Sequence, residues 1–215
     1  MSLSVKICGI NSRAALEAAV NNGARYVGFV FYPPSPRALE PEDAALLAAL
    51  VPPHVLKVGV FVDPDPVMID DTLLQVPLDL LQLHGSESPR NIDELRQTFC
   101  LPLVKAIKVA DAADVALARS FEGHADYLLF DAKPPPNQHG LLPGGNALSF
   151  DWRLLAGHSW KTPWFLSGGL HAGNLAQAVR LSGAKMVDVS SGVELRPGLK
   201  GGDKIAAFLA LAATL

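Results

Sequence analysis

Four residues have both the type and the placement to move protons. Cys8 ends Val5-Lys6-Ile7-Cys8, His84 follows Gln82-Leu83, Asp131 ends Tyr127-Leu128-Leu129-Phe130-Asp131, and Ser190 ends Met186-Val187-Asp188-Val189-Ser190. Each closes a short apolar run with strand character. A thiol acts as a base once ionised, which a neighbouring cation or phosphate field favours. A carboxyl group among apolar neighbours is held protonated and serves as a general acid. An imidazole can be acid, base or hydrogen-bond donor. Each residue also has a plainer reading: Cys8 as a small buried hydrophobe, Asp131 as a carboxylate tied to backbone or to Lys133, and His84 as a structural histidine. Lys6 lies on the same strand face as Cys8 and points inward beneath it, which requires a partner that the sequence does not identify.

Two stretches suggest anion binding. Leu166-Ser167-Gly168-Gly169-Leu170 and Ser190-Ser191-Gly192-Val193-Glu194 are glycine turns following strand-like runs. Glycines let backbone N–H groups approach a phosphate, and a helix amino terminus adds partial positive charge. The plainer alternative is two tight turns without a ligand. Arg37 follows Pro33-Pro34-Ser35-Pro36 on a stiff loop, where a guanidinium can grip a carboxylate with two donors or remain solvated.

The elements that must position these residues alternate along the whole chain. Strands are expected at 5–8, 26–31, 56–62, 78–83, 103–107, 127–131, 164–167 and 186–190. Helices are expected at 13–20, 41–50, 66–74, 88–99, 112–120, 150–155, 174–181 and 203–212. Residues 133–146, with four prolines and three glycines, read as a long loop. Eight strand-then-helix units in a row imply parallel strands with crossover helices, and the expected fold is α/β, a single-domain (β/α)8 TIM barrel over residues 1–215. A doubly wound open sheet is the alternative, but no nucleotide-type glycine loop follows the first strand. In a barrel, all four chemical residues fall at strand carboxyl ends, the face that carries active sites, and the turns after strands seven and eight fall at its common phosphate site.

Composition sets the remaining bounds. The 215 residues carry a formal charge of −3 and are 49% hydrophobic, which suits a globular domain and gives no reason to expect nucleic-acid or membrane partners. No apolar run is long enough to span a membrane. Cys8 and Cys100 lack a metal-ligand spacing, and two thiols in such a chain suggest a reducing compartment, hence a cytoplasmic protein. Cys100, ending Gln97-Thr98-Phe99-Cys100, reads as an inert, half-buried thiol. A monomer and a homodimer are both compatible with the sequence.

Taken in order, several motifs resemble one family. They are Lys6-Ile7-Cys8-Gly9, Gly28-Phe29-Val30-Phe31 with Ser35-Pro36-Arg37, Gln82-Leu83-His84-Gly85, Leu128 to Asp131, Phe150-Asp151-Trp152, Leu166 to Leu170, and Asp188 to Glu194 with Pro197-Gly198. Together they resemble phosphoribosylanthranilate isomerase over nearly the whole chain. The resemblance implies a cofactor-independent, metal-free Amadori rearrangement in tryptophan biosynthesis, acting on a small phosphorylated substrate. Asp131 matches the family's general acid and Cys8 its general base. Arg37 would hold the anthranilate carboxylate, and Gln82, His84, Gly145, Gly168, Gly169, Ser190, Ser191 and Gly192 would contact substrate, the glycine turns taking the phosphate. Two stretches depart from the family pattern. Gly144-Gly145-Asn146-Ala147 stands where the family usually has Gly-Gly-Thr/Ser-Gly, which predicts a different seat for the loop after strand six. Lys200-Gly201-Gly202-Asp203-Lys204 replaces a more compact start to the last helix. A metal-dependent sugar-phosphate epimerase would want more His and Asp ligands at strand ends than His84 and Asp131. A non-catalytic phospholigand barrel would tolerate loss of the acid or base, yet both are present.

Overall fold

The computed structural model describes residues 3–135 and 143–215. Eight parallel strands close into a barrel in chain order: β1 (Ser4–Cys8), β2 (Tyr26–Val30), β3 (Leu56–Phe61), β4 (Leu80–Leu83), β5 (Leu103–Val109), β6 (Tyr127–Ala132), β7 (Trp164–Leu166) and β8 (Met186–Val189). The crossovers carry α1 (Arg13–Asn21), α2 (Pro41–Ala48), α3 (Pro66–Leu73), α4 (Pro89–Phe99), α5 (Ala112–Leu117), α6 (Leu175–Ser182) and α7 (Gly202–Ala212). The architecture is the expected TIM barrel.

Local chemistry fixes the helix starts. Ser12 accepts from the Ala15 N–H at the head of α1, Asp65 from Val67 at α3, and Ser88 with Asn91 forms a reciprocal capping box at α4. Pro41, Pro66 and Pro89 occupy the first helical position, where the missing N–H costs nothing.

Alternation along each strand separates two apolar layers. On β2, Val27 and Phe29 join the large core beneath the helices, whereas Tyr26 faces the barrel interior with Val58, Leu80, Val104, Ala106, Leu129 and Phe165. The Phe165 ring is the hub of that interior, with the Tyr26 centroid at 5.2 Å and the Tyr127 centroid at 5.9 Å. This plug closes the lower barrel, so ligands can enter only from the carboxyl end of the strands.

Three local expectations are corrected. Among the described residues, the crossover after β6 carries no α-helix but a 3₁₀ turn at Trp152–Leu155. α5 stops at Leu117 and continues as 3₁₀ through Phe121. After β8 an antiparallel hairpin appears, β9 (Glu194–Arg196) with β10 (Leu199–Lys200). Its arms are too short and polar to show a strand period, although Pro197-Gly198 marks its turn. Of the loop expected at 133–146, residues 136–142 lie outside the described residues. No described helix is long and apolar enough to cross a membrane.

Candidate active site

Seven of the eight strands send a residue to one cavity at the carboxyl end of the barrel: Cys8, Val30, Val60, His84 and Asp131, with Ser167 just beyond β7 and Asp188 on β8. The loops add Arg37, Gly144 to Leu148, Gly168 to Leu170, and Ser190 with Ser191. The cavity therefore gathers Cys8, Arg37, His84, Asp131, Gly145, Gly168, Gly169, Ser190 and Ser191, nine of the eleven residues the sequence points to. Gln82 and Gly192 do not line it. Gln82 is fully buried beneath His84. Gly192 faces the neighbouring turn, where a Cβ would lie 1.8 Å from the Leu170 carbonyl oxygen. Its lack of a side chain lets the two glycine turns dock.

Asp131 is held at both oxygens. Its Oδ1 accepts the Ala132 N–H at 2.9 Å, and its Oδ2 lies 3.1 Å from His84 Nε2. Lys133, the alternative partner, is engaged with Asp114 at 2.7 Å. Behind His84, Gln82 Nε2 lies 2.9 Å from Nδ1. An amide donating there places the imidazole proton on Nε2, aimed at Asp131. The turn carrying His84 is braced from below: Lys105 donates to the Gly85 carbonyl at 2.8 Å and to Glu87 at 2.6 Å, while Glu87 accepts from the backbone N–H of Asp63 and Gly85.

Cys8 is buried at the cavity floor. Burial pushes its thiol above the ordinary range, opposed by Lys6 and Lys200 and reinforced by Asp188. Proximity to cations alone therefore does not make it a resting thiolate. The partner that Lys6 requires is Asp188, at 2.8 Å. Register places these two residues directly across β1 and β8, and Ser167 Oγ donates to the other Asp188 oxygen at 3.1 Å.

Arg37 is buried rather than solvated, and its fork is already engaged. Nε and Nη2 bind the Glu194 carboxylate at 2.7 and 2.9 Å, and Nη2 also donates to the Gly145 carbonyl at 3.1 Å. Nη1 lies against Gly145, where a Cβ would come within 2.6 Å of it. Lys200 Nζ completes the group, donating to Glu194 at 2.9 Å and to the Ser190 carbonyl and hydroxyl at 3.0 and 3.1 Å. Burial disfavours the Glu194 charge, but Arg37 and Lys200 outweigh it and hold the carboxyl below its usual range. Two basic groups thus face one carboxylate, and burial holds the Lys200 ammonium below its ordinary range despite Glu194. Glu194, Lys200 and Asp188 carry no role in the sequence reading. The signal available for Asp188 was its parity with Lys6 on strands that a closed barrel must pair.

The glycine turns provide donors. Gly168 and Gly169 have φ of +84° and +64°, and among the described residues neither N–H has a hydrogen-bond acceptor. With Ser191 they line the cavity, and Gly169 packs closely on Leu148 and Ser149, just past the Gly144–Ala147 loop.

The family model for N-(5′-phosphoribosyl)anthranilate (PRA) isomerase matches residues 5–210. The chain belongs to that family. A phosphoribosylanthranilate isomerase of Rhodospirillum centenum is 58% identical over 215 residues, covering the whole of both chains. Another, from Paramagnetospirillum magneticum, is 53% identical over 209 residues, covering 97% of this chain and 96% of the relative. Among solved structures, the phosphoribosylanthranilate isomerase of Thermotoga maritima superposes with a TM-score of 0.87 at 37% identity, over 99% of this chain and 100% of that one. A phosphoribosylanthranilate isomerase in complex with reduced 1-(o-carboxyphenylamino)-1-deoxyribulose 5-phosphate gives 0.84 at 34% identity, over 99% and 100%. The activity of the family, isomerisation of phosphoribosylanthranilate in tryptophan biosynthesis, is the activity of this chain.

Proposed function

We propose that Cys8 and Asp131 divide the proton transfers of this isomerisation, the converting step being N-(5-phosphoribosyl)anthranilate to 1-(2-carboxyphenylamino)-1-deoxyribulose 5-phosphate. Protonated Asp131 gives its proton to the furanose ring oxygen, and the ring opens to a protonated Schiff base. That cation acidifies the C2 proton, which the Cys8 thiolate removes, and the resulting enolamine tautomerises to the ketone. The observation that carries this assignment is that the largely buried thiol on β1 and carboxyl group on β6 line one cavity at the carboxyl end of the barrel.

The neighbours support the roles. Once Asp131 has lost its proton, the His84 Nε2–H is placed to donate to the new carboxylate, with Gln82 fixing the tautomer. Gln82 thus acts beneath the substrate rather than on it. Arg37 meets the anthranilate carboxylate through Nη1, with Glu194 locking the guanidinium plane. The phosphate sits on the Gly168, Gly169 and Ser191 amides. The setting we assign is cytoplasmic, with a small phosphorylated molecule as ligand and neither nucleic acid nor membrane as partner, the 215 residues acting as one barrel domain. A monomer and a homodimer both accommodate it.

The test follows the fluorescent substrate to product by purified wild-type protein and by Cys8→Ala and Asp131→Asn. Wild-type turnover together with loss in both variants is expected. Near-normal kcat in either variant removes that residue from the chemistry. Restored growth without tryptophan in a strain lacking the isomerase tests the activity in cells.

A further inference from the structure

Lys6 is among the largest side chains that are completely enclosed, at 1% exposure, and the proposed reaction makes no direct use of it. Its stem rises past the apolar plug, and its ammonium ends beneath Cys8, bonded to Asp188 at 2.8 Å. Opposite, Gly28 leaves the space open: a Cβ there would lie 3.1 Å from both Lys6 Nζ and Cys8 Sγ. A methyl group there would crowd both, so the glycine leaves the ammonium and the sulfur room on the same side of β2. Ser167 holds the second Asp188 oxygen, donating to it at 3.1 Å.

We propose that Lys6 is a positioning residue whose ammonium, fixed by Asp188, stands beside the Cys8 sulfur and favours the thiolate form in which it removes the substrate proton, offsetting part of the cost of burial. The proposal rests on Cys8 being the base. Lys6 neither gives nor takes a proton: the thiolate becomes a thiol on accepting the C2 proton, while the lysine keeps its three. Burial works against the Lys6 charge, but Asp188 and then Cys8 outweigh it and hold the ammonium above its ordinary range, so it stays charged throughout the working pH range. The other charged or titratable groups around Cys8 are Asp188 on β8, Lys200 on β10, Tyr32 and Arg37 after β2, and His84 and Asp131 in the cavity. β2 and β3 contribute only Gly28, Val30 and Val60. Of the charges acting on the thiol, Lys6 is the strongest, and it favours the thiolate.

The experiment measures iodoacetamide alkylation of Cys8 against pH, in a Cys100→Ser background because Cys100 is exposed, together with the pH profile of kcat/KM. Lys6→Met should raise the alkylation midpoint by at least about one pH unit, roughly tenfold slower labelling below both midpoints. The acidic limb of kcat/KM, where the base is lost by protonation, should move with it. Asp188→Asn should lower the midpoint, since it removes a negative charge and leaves the ammonium. Lys6→Met/Asp188→Asn, with both buried charges gone, should still label later than wild type, and it carries the test if Lys6→Met alone does not fold. A merely structural lysine would lower the melting temperature and leave the midpoints in place. An unchanged midpoint in a folded lysine variant overturns the proposal and leaves Cys8 as base intact. Full activity of Cys8→Ala would overturn the base itself, whatever the midpoints.

Discussion

Below Cys8, the barrel interior is filled by Tyr26, Val58, Leu80, Val104, Ala106, Leu129 and Phe165, with no charged head group among them. Toward the carboxyl ends of the strands lie the paired Lys6 and Asp188, then His84 and Asp131, with Arg37, Glu194 and Lys200 folded over from the loops. The side chains of both halves are largely buried, yet the halves are built for different ends. Burying apolar rings contributes stability directly. Burying ion pairs such as Lys6–Asp188 and Arg37–Glu194 is close to neutral against a well-packed apolar replacement, because desolvation offsets the attraction. What the upper half gains is charge held in place before the substrate arrives. The barrel thus separates the layer that keeps it folded from the layer that reacts, and a mutation can damage one while sparing the other.

The largest effect should come from the apolar layer. Phe165→Ala removes the ring on which Tyr26 and Tyr127 pack and should cost about 3–5 kcal/mol of stability in urea or thermal unfolding. Activity per folded molecule, measured well below the melting point, should remain within a few-fold. A large loss of kcat in a folded Phe165→Ala protein would mean that the two layers are mechanically coupled. In the upper layer the pattern inverts. Cys8→Ala and Asp131→Asn should each lower kcat by at least about 10²-fold while unfolding near the wild-type midpoint.

How much of this was legible in the sequence follows from distance along the chain. Strands, helix caps and the placement of Cys8, His84 and Asp131 depend on alternation and on neighbours within a few residues, so they could be read directly. The pairings Lys6–Asp188 and Arg37–Glu194 span 182 and 157 residues and exist only because β8 closes on β1. Lys6 visibly needed a partner, but parity on the last strand was the only clue to which one. The hairpin carrying Glu194 and Lys200 escaped notice because its arms are two and three residues long. Cys100 was misread as half-buried. Its place at the end of an amphipathic helix suggested contact with the core, whereas the residue takes the left-handed cap position and turns out to solvent.

A smaller effect tests the electrostatics of the upper layer through pH. The Glu194 carboxyl is lowered in the folded protein, so its contribution is complete above the unfolded value of about 4.3. It is lost as the pH falls from there through the folded value. Glu194→Gln keeps a hydrogen-bonding group of the same shape but cannot titrate. Its melting temperature should therefore fall less steeply than that of wild type below about pH 4.3. Parallel curves would show that Arg37 and Lys200 do not hold the carboxylate in solution as they do in the structure.

The smallest effects sharpen the same contrast with one kind of strain at both ends of the barrel. Cys100 and Ala147 both adopt left-handed backbone, with φ of +54° and +56°. Cys100 closes α4 at the end of the barrel away from the cavity, while Ala147 lines the cavity itself. A left-handed L-residue costs about 1–2 kcal/mol, and glycine returns about 0.5–1 kcal/mol of that through its freer unfolded chain. Either residue changed to glycine should therefore stabilise the protein by roughly 0.5–1 kcal/mol. Their kinetics should differ. Cys100→Gly should leave kcat and KM unchanged. Ala147→Gly loosens the loop whose Gly145 carbonyl is held by Arg37, so more order must be imposed when substrate binds, and KM should rise a few-fold. If Ala147→Gly instead matches Cys100→Gly in both stability and KM, the loop after β6 is set by its contact with Arg37 alone, and the alanine is strain without a kinetic role.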